Sequence, residues 1–258
     1  KAKEFIESNK KQPFFLYYSL TEPHVPRMPS TMFKGKSNLG YRGDAILQMD
    51  WAVGEIMKQL ESLGIAKNTM IIFSSDNGPV LDDGYEDEAV SKLNGHTPGG
   101  VLRGGKYSTF EAGTRIPMII SWPSQTKNGI SKALLSQIDF MASFSKMLKI
   151  KPVKSEATDS EDMINVLLGK TNKGRTVLIK QGITSLAIVK DNWKYIEPNK
   201  GPEINLLTNI ELGNSLLPQL YDLENDLGEK NNLATQKAEI VFELAGLLQK
   251  IKDQKTKD

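Results

Sequence analysis

Met70-Ile71-Ile72-Phe73-Ser74-Ser75-Asp76-Asn77-Gly78-Pro79 is the stretch that sets the fold of the chain's first part. Its apolar start lacks strict alternation and reads as a strand covered on both faces. Asp-Asn-Gly-Pro is a strong turn signal that stops it. Just upstream, Ile46, Met49, Val53, Ile56, Leu60 and Leu63 recur at helical spacing, with Asp50, Glu55, Lys58 and Glu61 between them. That pattern predicts an amphipathic helix over 43–63, with Gly64 as its stop. Phe14-Phe15-Leu16-Tyr17-Tyr18-Ser19 reads as an earlier buried strand, following a helix tail over 4–10 that Gln12-Pro13 ends. Ile116 to Trp122 reads as a third strand. Strands alternating with a helix imply an α/β domain with a mainly parallel sheet.

Downstream, Asp139 is placed to cap a helix running through Leu148, residues 150–160 are polar and linker-like, and Met163–Leu168 forms a short helix closed by Gly169. Then the style changes. Thr176–Lys180, Leu186–Lys190 and Trp193–Ile196 are short alternating strands, the last two joined at Asp191-Asn192, and Gln219–Leu223 is another. Ile240, Leu244, Leu247, Leu248 and Ile251 mark a final amphipathic helix, with a lysine-rich, frayed tail beyond it. This predicts two units, 1–172 and 173–258, the second a small antiparallel sheet with a covering helix.

Composition excludes several function classes. With 33 Lys+Arg against 31 Asp+Glu, the formal net charge is +2, which calls for neither nucleic acid nor a membrane surface as partner. There are no cysteines, so disulfides, thiolate zinc sites and cysteine nucleophiles are absent from this chain. No apolar run is long enough to span a bilayer.

Each candidate for chemistry admits two readings on its own. Asp76 and Asn77 end a strand, where ligands bind in open α/β sheets, and offer hard oxygens suited to Ca²⁺ or Mg²⁺. Asp-Asn-Gly is equally favoured in turns for local reasons. His24 and His96, the two histidines, lie in loops and suit either acid or anion-binding roles or plain surface positions. Lys106 follows Gly104-Gly105, where a backbone can approach an oxyanion, or where a lysine is simply solvated. A P-loop is rejected, because Tyr107 stands where Ser or Thr must reach Mg²⁺. Glu111 and Arg115 read as a buried ion pair bracing the loop, or alternatively as a catalytic carboxylate with a neighbour.

The order of these pieces is more specific than any of them. Phe14–Ser19 with Pro23-His24-Val25-Pro26, the Asp50 helix, Ile72–Gly78, Leu102-Arg103-Gly104-Gly105-Lys106 running into Phe110–Pro117, and the terminal Leu220–Asp226 and Glu229–Leu233 resemble the second half of the formylglycine-dependent, arylsulfatase-like sulfatases. The resemblance implies part of an alkaline-phosphatase-like α/β fold, its sheet sandwiched by helices, and hydrolysis of a sulfate ester by a formylglycine hydrate with a divalent cation. It implies Asp76 and Asn77 as metal ligands for Ca²⁺, or Mg²⁺. His24 and Lys106 would be catalytic residues contacting the sulfate, with His24 protonating the leaving oxygen. Separately, the length of the polar loop points to residues 82–98, His96 included, as lining the substrate side. The implied partner is a sulfated small molecule or sulfated glycan, and the implied location periplasmic, secreted or lysosomal.

Two departures qualify the resemblance. Ala112 stands where that family usually has Gly. The Cys/Ser-x-Pro-x-Arg nucleophile motif and the early aspartate pair are absent. The expectation is therefore a C-terminal portion that is inactive alone, with formylglycine in a missing N-terminal part. A phosphodiesterase or phosphonate hydrolase of the same superfamily, or a non-catalytic module binding sulfated glycans, are the alternatives.

Overall fold

The computed structural model describes residues 1–151 and 156–255 of the chain. The first part opens with helix α1 (Ala2–Asn9) and carries the long helix α2 (Gly40–Ser62) into strand β1 (Ile71–Ser74). Leu63 caps α2 and Gly64 follows with φ of +69°, a backbone state that glycine adopts without the steric cost of a Cβ. The start of α2 is its buried end, with Arg42, Gly43, Asp44 and Ala45 all inside. Asp44 fastens the preceding loop by accepting from the amides of Gly35 and Ser37 at 2.7 Å each.

β1 pairs with β2 (Met118–Ser121), and the pair is antiparallel rather than parallel. The chain turns at the end of β1 and re-enters from that same end, because the residues between are loop and one short helix, α3 (Glu111–Thr114), with no crossover helix to carry it back. The expected strand over 14–19 does not form: Phe15 and Tyr17 are exposed at 75% and 82%, and no described strand pairs with the segment. An apolar run becomes a strand only where a partner edge meets it.

Helix α4 (Phe140–Leu148) begins as expected with Asp139 at its N-cap position, but the Asp139 side chain makes no capping bond to it. Its buried carboxylate accepts from the Ser136 amide, the Glu161 amide and Arg175, tying the helix start to later chain. Of the polar linker over 150–160, residues 152–155 lie outside the described residues. Helix α5 (Ile164–Leu167) follows, closed by Gly169 at φ of +67°.

The remaining chain is a four-stranded antiparallel sheet in the order β3 (Val177–Gln181), β4 (Leu186–Lys190), β5 (Trp193–Ile196), β8 (Gln219–Asp222). A small hairpin of β6 (Ile204–Asn205) and β7 (Ile210–Glu211), too short to show in the sequence pattern, interrupts it. Helix α6 (Ala238–Lys255) lays Leu244 and Leu248 on Ile188, Tyr195 and Leu220. The other sheet face takes Phe110 against Ala187, Ile196 and Tyr221. That second contact docks the glycine-rich loop of the first part on the sheet.

Candidate active site

The loops at the end of β1 are laced together by backbone contacts. The Pro79 carbonyl accepts from the Lys106 amide at 2.9 Å, and Gly78 N–H donates to Gly113 O at 3.1 Å. A Cβ on Gly78 would collide with the carbonyl of Ala112, and one on Gly105 would sit 2.7 Å from that of Pro79. Glycine is required at both positions because backbone passes against backbone. The lacing carries Lys106 to within three residues' backbone of Asp76-Asn77.

Lys106 Nζ lies 2.8 Å from Asp83 Oδ2 and 3.3 Å from His24 Nε2. Tyr107 OH donates to the same carboxylate at 3.0 Å. His24 Nδ1 is 2.6 Å from the Val25 carbonyl. A carbonyl only accepts, so Nδ1 carries the proton and Nε2 faces Lys106 as an acceptor in the neutral ring. The proline frame is visible too, with Glu22-Pro23 and Val25-Pro26 both cis. Partial burial pushes the Lys106 ammonium down, but its bond and charge pairing with Asp83 outweigh this and hold it raised. Burial likewise pushes Asp83 up, and the hydrogen bonds from Lys106 and Tyr107 bring it net below the usual carboxylate range. Lys106 is therefore a firm cation at neutral pH.

Asp76 is exposed and its Oδ1 accepts from the Asn77 amide at 3.0 Å. Asn77 Nδ2 donates to Gly78 O at 2.9 Å, which leaves its side-chain oxygen free to accept. The two oxygens have the chemistry for a hard cation, but among the described residues no three His, Cys, Asp or Glu groups converge on a metal position. The donor set is correct in kind and short in number.

His96 makes no hydrogen bond with this cluster among the described residues; its Nδ1 faces both terminal nitrogens of Arg42 at 3.3 Å. Glu111 and Arg115 do form an ion pair, Oε2 to Nε at 2.6 Å. The pair is one arm of a larger buried network. Glu111 Oε1 meets Lys180 at 2.5 Å and Lys194 at 2.9 Å, and Lys194 lies 2.8 Å from Glu229 Oε1. That last contact is one of charge, since Glu229 Oε1 accepts no well-aligned hydrogen bond. Glu229 also takes the Glu111 amide at 2.5 Å, and its carbonyl accepts from Arg103 at 2.9 Å. Burial raises Glu111's carboxyl, but Lys194, Lys180 and Arg115 more than reverse this and hold it well below the usual range. Burial raises Glu229 and wins there, while burial lowers Lys180 to about 8. This network anchors both ends of the loop over 103–111 that presents Lys106.

The sulfatase family model matches residues 1–150. The chain belongs to the sulfatase family. It is 54% identical over 98% of its length to an N-acetylgalactosamine-6-O-sulfatase of Bacteroides thetaiotaomicron, covering 50% of that protein. It is 29% identical to the mouse N-acetylgalactosamine-6-sulfatase over 89% of its own length and 46% of the relative's. A solved Bacteroides thetaiotaomicron 6S-sulfatase, connected with metabolism of multiple glycosaminoglycans, superposes with a TM-score of 0.96 at 53% identity, over 98% of this chain and 53% of that one. The chain thus spans about half the length of the curated relatives it matches. Its fold is the alkaline-phosphatase-like α/β fold of those sulfatases. A phosphonate monoester hydrolase of Agrobacterium radiobacter is a distant likeness, 19% identical with a TM-score of 0.51, and speaks to the fold alone. Sulfatases as a family use a formylglycine and a divalent metal.

Proposed function

We propose that this chain is the sulfate-gripping half of a sulfuric ester hydrolase, and that the intact gene product removes a 6-O-sulfate from an N-acetylgalactosamine-containing glycan. The observation that carries the reading is Lys106, a firm cation braced by Asp83 and abutting His24 Nε2, laced by its own backbone to the Asp76-Asn77 turn. The substrate class rests on the 54% identity to the N-acetylgalactosamine-6-O-sulfatase.

In this reading Lys106 binds the non-bridging sulfate oxygens and offsets the charge they carry in the transition state, while the electron pair of the breaking ester S–O bond goes to the leaving alcohol oxygen. His24, oriented by its Nδ1–H to Val25 O, presents Nε2 to the leaving alcohol oxygen and donates a proton there when protonated. Asp76 and Asn77 would hold a divalent cation, calcium or magnesium, which would supply neutralisation of sulfate charge. The nucleophile, a formylglycine hydrate, lies outside these residues, because no Cys and no Ser-x-Pro-x-Arg is present. The exposed apolar groups Phe15, Tyr17 and Ile119 support the same view: in this reading they are surfaces that the other half of the sheet covers.

The test is sulfate release from N-acetylgalactosamine-6-sulfate by the intact gene product, and by Lys106→Ala and Asp76→Ala variants. Release by the wild type, lost in both variants, is expected, together with none from the 258-residue chain alone. Turnover by that chain alone, or a preference for phosphate or phosphonate esters, overturns the reading.

A further inference from the structure

Arg42, in the first turns of α2, is 7% exposed. A guanidinium keeps its charge at any pH a protein meets, so burying one without a counter-charge is costly. The neighbouring Arg27, itself buried, pairs with Asp87 at 2.7 Å and donates to the carbonyls of Pro23, Val80 and Leu81. Arg42 forms no ion pair with any carboxylate among the described residues. Both its terminal nitrogens converge on His96 Nδ1 instead. Burial, and then the nearby Arg27, lower its pKa, with Asp87 offsetting only part. Arg27, Arg42 and Asp87 together keep one positive charge unneutralised.

The geometry fixes what His96 offers. Arginine only donates, so Nδ1 must accept, and the ring proton of the neutral form sits on Nε2. The residue is exposed, which leaves that N–H available to a ligand. The segment around it is seated on the start of α2: Asn94 Nδ2 donates to the Asn38 carbonyl, and the Lys92 stem packs over Gly40. The same loop supplies Asp83 to Lys106 and Asp87 to Arg27, and Arg27 lies three residues from His24. The loop that bears His96 is thus tied through Asp83 and Asp87 to the residues around Lys106 and His24, while His96 itself bonds to Arg42.

We infer that His96, backed by Arg42, is a subsite for a second oxyanion of the glycan, a carboxylate or sulfate on the sugar next to the one losing its sulfate. The inference rests on the sulfatase reading above. An oxyanion would accept the Nε2–H and bring the missing negative charge to a buried cation, a charge-assisted arrangement that either group satisfies.

The experiment compares KM of the intact gene product for three disaccharides of N-acetylgalactosamine-6-sulfate: one with a uronate neighbour, one with a sulfated neutral neighbour and one with a plain neutral neighbour. An anionic neighbour is expected to lower KM about ten-fold, the equivalent of one charged hydrogen bond. The arm with the larger gain identifies carboxylate or sulfate as the natural ligand. His96→Ala, at an exposed position that does not threaten folding, cancels the difference, and Arg42→Gln does the same. Equal KM for all three substrates, or a gain that survives in His96→Ala, overturns the subsite while leaving the sulfatase reading standing. No turnover of any of the three by the wild type overturns that reading and this inference with it.

Discussion

Lys194→Met tests the claim that a buried charge network, and not only apolar packing, holds the loop carrying Lys106. Lys194 and both its carboxylate partners are fully buried, at 0% exposure. The substitution leaves Glu111 with Lys180 and Arg115, but takes from Glu229 the cation 2.8 Å away. Removing one partner of a buried pair strands the other charge and costs about 3–5 kcal/mol, against total stabilities of about 5–15 kcal/mol. Glu229 can escape part of the cost by taking a proton. Its folded pKa already lies above the unfolded value, and losing Lys194 raises it further. Stability from a raised carboxyl is present below the unfolded pKa and lost as pH rises through the folded one. The variant is therefore expected to lose more at pH 8 than at pH 5, and Lys194→Met with Glu229→Leu to recover most of the loss. Urea denaturation with linear extrapolation measures each value. A loss under about 1 kcal/mol that is the same at both pH values would refute the reasoning, because a stranded buried charge cannot be that cheap.

Three further outcomes follow from the site. Lys106→Ala should lower kcat/KM of the intact gene product by about 10²–10³, as loss of a charge-stabilising donor does elsewhere, and a drop under ten-fold argues against its role. Asp83→Asn should lower the Lys106 pKa, since the carboxylate is what holds it raised; NMR of the dimethylated amine reads this directly, and an unmoved titration disproves the pairing. Lys180 sits at about 8 when folded, below its ordinary 10.5, so between those values the unfolded chain binds more protons and stability rises with pH. Urea midpoints at pH 8 and 10 should show this rise in the wild type and lose it in Lys180→Met, and parallel profiles would contradict it.

How much of this could be read from the sequence depends on whether the cause was local. The stops at Gly64 and Gly169, the Asp191-Asn192 turn and the strands flanking it follow from side chains within a few residues, and all appear. The strand over 14–19 does not, because pairing is decided by a partner edge that composition cannot supply. His24, Asp76-Asn77 and Lys106 stood out through prolines and glycines, which mark where backbone must bend or approach closely. Asp83 gave no signal, being one acid among several in a polar loop, and only the fold shows that it is the one holding Lys106.

Lys194 shows why the rest was hidden, and where a trace of it lay. Alternation assigns a lysine in a short antiparallel strand to the solvent face. In β5, however, Lys194, Tyr195 and Ile196 are all buried, because α6 covers one face and the Phe110 loop the other. A strand closed on both faces has no solvent side, so its lysine must find carboxylates, and they come from 83 residues upstream at Glu111 and from Glu229. A lone lysine flanked by Trp193 and Tyr195, with the apolar Ile196 at the next position on its own face, was the local trace of that enclosure. The same enclosure makes the C-terminal sheet part of the site's frame: it supplies Lys180 and Lys194, two of the three cations that pair with Glu111 at the end of the loop bearing Lys106, the third being Arg115.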